Sequence, residues 1–102
     1  MDKAWKRTER TLAEILGGRR IPITGRTRGE TPDIDHDRYS VEVKLRKKLP
    51  NWIWDAIDQA EKAKTKNKLP VVILHELNKR HLNDLVVMRL EDFLKLDRRS
   101  KK

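Results

Sequence analysis

Hydrophobic positions change their period several times along the chain, and each change marks a new element. In residues 3–16, Trp5, Leu12, Ile15 and Leu16 recur at helical spacing and Gly17-Gly18 supplies a stop, which predicts a first helix. Glu9 falls on its apolar side with Trp5, Leu12 and Leu16, and a carboxylate aimed at a core needs a physical reason. Residues 20–24 predict a short edge strand, because Pro22 cannot donate to a ladder. Residues 25–31 predict a glycine-containing cationic loop that carries Arg26 and Arg28. Further on, Val41, Val43 and Leu45 alternate with Ser40, Glu42, Lys44 and Arg46, the period of a strand with its apolar side turned inward. Residues 33–36 are its expected partner strand, with Asp37-Arg38 as the turn.

After Pro50, the stretch WIWDAIDQAEKAK predicts a second helix with Asn51 as N-cap. Trp52, Ile53, Ala56, Ile57, Ala60 and Ala63 share its apolar face, while Trp54 projects away. Residues 64–68 read as a basic linker, residues 71–74 and 85–90 as buried strands, and residues 91–96 as a short closing helix. The order helix, three strands, helix, two strands, helix predicts an α/β fold with a central mixed sheet flanked by helices. A single domain is expected over residues 1–97, followed by a disordered basic tail, 98–102.

Composition narrows the partner. The 102 residues carry a formal charge of +9, and 40% of them are charged, so a polyanion such as DNA is the expected ligand. Absence of cysteine excludes disulfides, thiolate metal sites and cysteine nucleophiles. No apolar run approaches the roughly 20 residues of a membrane span, so no membrane association and a cytoplasmic location are expected.

The candidate chemistry lies in the predicted hairpin. A tight turn at Asp37-Arg38 sets Asp33 opposite Glu42, with Lys44 on the same face two residues on. Facing carboxylates repel unless something positive sits between them, and a hard divalent cation suits two oxygen ligands. Lys44 would then contact a phosphate and stabilise developing charge.

Pro32-Asp33 followed by Glu42-Val43-Lys44 resembles the signature of the PD-(D/E)XK nuclease superfamily. Glu9-Arg10 ahead of an apolar run, then a polar loop and the two motif strands, is similar to the archaeal-type Holliday junction resolvases, as a small phage-like member. The resemblance implies a restriction-endonuclease-like core and Mg²⁺-dependent hydrolysis of branched DNA by a homodimer, with Mn²⁺ able to substitute. It makes Glu9, Asp33 and Glu42 the acidic residues around the metal, the Val43 carbonyl a backbone ligand and Lys44 the catalytic lysine. Asp35 shares the Asp33 face, so either aspartate can be the ligand, and the preceding proline favours Asp33. Arg10, Arg26, Arg28, Arg46, Lys47 and Lys48 are the expected DNA contacts. A nicking, repair or restriction-type nuclease and a non-catalytic DNA-binding protein of the same fold are the rival readings. His36, His75 and His81 fit no zinc spacing, and His36, near the turn, and His75, at a strand end, are expected in local hydrogen bonds.

Overall fold

The computed structural model describes residues 3–22 and 31–100, so Arg26 and Arg28 lie outside the described residues. Among these the chain is a small α/β protein with three helices and two small antiparallel sheets. The elements follow the expected order, and the chain divides into two compact units, Met1–Lys47 and Lys48–Lys102.

In the first unit, α1 (Ala4–Leu16) ends at Gly17, whose φ of 79° is the left-handed conformation that favours glycine. Gly17 N–H donates to the Glu14 carbonyl and Gly18 N–H to that of Ala13, which closes the helix in a Schellman motif. Three short strands follow: β1 (Arg19–Arg20), β2 (Ile34–Asp35) and β3 (Ser40–Val41). They pair antiparallel in that order, Arg20 with Ile34, Ile34 with Val41 and Asp35 with Ser40. Ile34 has 0% exposure and, with Ala13 of α1, forms the buried apolar centre of this unit.

The second unit holds α2 (Asn51–Ala63), β4 (Val72–Leu74), a 3₁₀ turn (His81–Asn83), β5 (Leu85–Val87) and α3 (Leu90–Ser100). Ile57 of α2 and Pro70 ahead of β4 are buried apolar side chains of this unit. Arg89, between β5 and α3, ties back to α2 through Asp58 at 2.8 Å and Glu61 at 3.4 Å.

Several expectations are corrected. The mixed sheet is replaced by two antiparallel ones, because every paired strand meets its neighbour in sequence and no crossover helix separates them. Pro50, not Asn51, occupies the N-cap of α2, where no side chain caps the helix. Trp52 is as exposed as Trp54, since α2 turns Ile53, Ala56, Ile57 and Ala60 inward instead. Strands β4 and β5 are not buried on both faces: the register partners Ile73 and Val86 are exposed, while Val72 and Val87 turn inward. Residues 98–100 are helical rather than a disordered tail.

One glycine is fixed by contact. A Cβ at Gly18 would collide with the Asp35 carbonyl oxygen and come within 2.9 Å of Ile34 Cγ2. Gly18→Ala should therefore destabilise the first unit by about 1–3 kcal/mol, the range for overpacking. Amide signals of α1 and β2 in a urea titration measure this, and an unchanged midpoint would show that the strand can retreat without cost.

Candidate active site

The hairpin of β2 and β3 is built around its turn. Arg38 N–H donates to His36 Nδ1 at 3.0 Å, so His36 Nε2 carries the proton and donates to the Leu16 carbonyl, also at 3.0 Å. One imidazole thus closes the turn and satisfies a helix-end carbonyl that has no partner within α1. Tyr39 stacks on the same ring with centroids 4.8 Å apart. The local hydrogen-bonding role expected for His36 is what the structure shows.

Asp33 stands just outside the ladder, after a proline that has no N–H to offer. Its own N–H donates to the Val41 carbonyl at 2.8 Å, and its Oδ2 accepts the Val43 N–H at 2.7 Å. Asp33 therefore brackets Glu42, bonded by its backbone to the residue before and by its carboxylate to the residue after. A side-chain oxygen here does what a strand carbonyl would have done, which is why formal β-pairing stops at Val41. Leu45, expected in the core, is exposed, while Val41 and Val43 are half-buried.

Lys44 Nζ lies 3.0 Å from Glu42 Oε2, and both side chains are more than half exposed. Asp35 pairs with its register partner Arg19 at 3.5 Å, also in solvent. Asp33 is held by backbone and Asp35 by an exposed surface cation, which favours Asp33 as the fixed carboxylate.

Glu9 is buried, at 6% exposure, as its position on the apolar side of α1 demands. Its counter-charge is Arg20, whose Nε reaches Glu9 Oε1 at 2.8 Å. The Arg20 guanidinium also lies over the Trp5 ring, 5.5 Å from its centroid. Glu9 is thus engaged by a cation of the chain itself. Glu9, Asp33 and Glu42 do not gather into one cluster of ligand atoms; among the described residues that arrangement occurs at His75, His81 and Asp84.

Of the expected DNA contacts, Arg10, Arg46, Lys47 and Lys48 have exposed side chains, and Arg46 Nη1 donates to the Leu45 carbonyl at 2.9 Å. The basic linker of residues 64–68 lines a cleft of about 530 Å³ in the second unit, where Lys64, Lys66 and Lys68 meet Lys95 and Arg99, which sequence reasoning missed, among the acidic Glu61, Glu91 and Asp92. Asp92, 5% exposed, lies in its wall with Oδ2 lacking a hydrogen bond and Lys95 Nζ 3.6 Å from Oδ1. The helical spacing of Asp92, Lys95 and Arg99 was the available signal, hidden because α3 was expected to end before Arg99.

Two ion pairs of the first unit should differ sharply in worth. Removing one partner of a buried pair strands the other charge, so Glu9→Ala should cost on the order of 3 kcal/mol. Glu42→Ala breaks an exposed pair and should cost under about 1 kcal/mol. Urea denaturation followed by α1 amide signals compares them, and equal midpoints would show that the Glu9–Arg20 pair is not a stabilising element.

Comparison with models of protein families, with curated proteins and with solved structures finds no match to this chain.

Proposed function

We propose that this chain is a metal-dependent DNA endonuclease with a restriction-endonuclease-like core, acting on branched or junction DNA in the cytoplasm as a homodimer. The observation that carries the reading is the hairpin: Asp33 bonded on both sides of Glu42, with Lys44 beside that glutamate. Net charge of +9 and the exposed cations Arg46, Lys47 and Lys48 support a phosphate backbone as ligand. Junction DNA is taken from the resemblance of the Pro32-Asp33 and Glu42-Val43-Lys44 motifs, and two coordinated nicks call for a two-fold dimer.

The donor set fits a hard cation. Asp33, Glu42 and the Val43 carbonyl offer only oxygen, which suits Mg²⁺ or Mn²⁺. When bound, such an ion supplies a water of lowered pKa and Lewis-acid polarisation of the phosphoryl oxygen.

The chain's own groups do the rest. Val43 N–H occupies Asp33 Oδ2 and so orients Oδ1 for a ligand. Lys44 is accessible and pairs with Glu42, itself more than half exposed, so its ammonium can exchange that carboxylate for a non-bridging phosphate oxygen. There it stabilises the negative charge that develops on the phosphoryl oxygens. Glu9 enters through Arg20, which it holds beside the end of β1.

Incubation of the chain with Mg²⁺ and labelled four-way junction, flap, linear and single-stranded DNA tests this. Junction cleavage that stops in EDTA, and that falls at least about 100-fold in Lys44→Ala and Asp33→Asn, is the expected result. Cleavage of linear duplex as fast as the junction would instead give a nicking, repair or restriction-type nuclease on the same site. Binding without cleavage, or variants that cut like the parent, would overturn the catalytic role of the hairpin.

A further inference from the structure

The connection between β4 and β5 has little apolar anchoring. Leu77 and Leu82 are 81% and 87% exposed, so hydrophobic burial does not hold this loop in place. Polar groups converge instead. His75 follows β4, His81 opens the 3₁₀ turn and Asp84 precedes β5. Both imidazoles present Nδ1 to the same carboxylate: His75 at 2.6 Å from Asp84 Oδ1 and His81 at 3.2 Å from Oδ2. The two rings stack with centroids 4.2 Å apart and an interplanar angle of 26°. Ligand atoms of the three residues all lie within 4.8 Å of one another.

We propose that His75, His81 and Asp84 form a binding site for a borderline divalent transition cation, Zn²⁺ being the representative, that staples the end of β4 to the turn before β5. Two imidazole nitrogens and one carboxylate oxygen form a donor set that suits zinc and discriminates against Mg²⁺, which demands oxygen. Metal–nitrogen and metal–oxygen bonds near 2 Å require adjacent donor atoms about 3 Å apart, so binding has to open the 2.6 Å spacing at His75 and draw in the widest spacing, which reaches 4.8 Å. His81 is 82% exposed on its side chain and can turn once its bond to Asp84 gives way, whereas Asp84 at 13% is the fixed member. A cleft of about 410 Å³ beside His75 and Asp84, lined also by Glu76, Lys79 and Asn83, leaves room for the water that completes a four-coordinate ion. The site belongs to the second unit and does not depend on the nuclease reading of the hairpin.

Nitrogen-detected NMR of the histidine rings in the full chain tests the assignment. One equivalent of Zn²⁺ should move the Nδ1 signals of His75 and His81 while leaving His36 unchanged, because His36 Nδ1 already accepts from Arg38 N–H. Mg²⁺ at the same concentration should move neither ring. His81→Ala and Asp84→Asn should each weaken zinc binding at least about tenfold, and Asp33→Asn should leave it unaltered. Ring signals indifferent to Zn²⁺ would overturn the site and leave Asp84 as a plain acceptor of two N–H bonds. Parent-like binding by both variants would place the ion elsewhere and equally overturn it.

Discussion

Complete burial of Ile34 against the end of α1 is the constraint on which the first unit turns. Side chains alternate along a strand, so a slip of one residue in the β2–β3 pairing would bring Asp33 or Asp35 into the place of an isoleucine. Burial therefore locks Ile34 to Val41 and, by the same alternation, sends Asp33, Asp35, Glu42 and Lys44 to the other face. His36 adds a second lock, since its ring is bonded at once to the turn and to the end of α1. The chemistry proposed for the hairpin is thus a by-product of how its apolar side packs.

Around this hairpin the electrostatics divide by depth. Buried Glu9 meets the largely covered Arg20 beside Trp5, an arrangement in which neither charge can be given up cheaply. Glu42 and Lys44 meet in solvent, where the attraction is weak and partners exchange readily. That difference suits the first pair to holding α1 on β1, and the second to the cation and phosphate of the proposed reaction.

Much of this was legible in the residues. The first helix and its glycine stop, the hairpin register and the inward placement of Glu9 all follow from periodicities that local geometry makes rigid. What the residues did not reveal depends on neighbours distant in sequence. Arg20 as the partner of Glu9 needed the turn of the chain after Gly18, and Asp33 as acceptor for Val43 needed the ladder to stop early. The inward strands of the second unit were overestimated because an unbroken apolar run looks alike whether one face or two are covered, and Ile73 and Val86 face out. His75 and His81 matched no zinc spacing because their third partner, Asp84, comes from the far side of a loop whose path no short motif specifies.

The most direct measurement of the central claim is paramagnetic broadening by Mn²⁺ added below stoichiometry to the isotope-labelled chain. A hard cation shared by Asp33, Glu42 and the Val43 carbonyl should broaden the amide signals of residues 33 and 42–44 first, with loss of that effect in Asp33→Asn. Signals of those residues that stay as sharp as those on the exposed side of α1 would contradict the account.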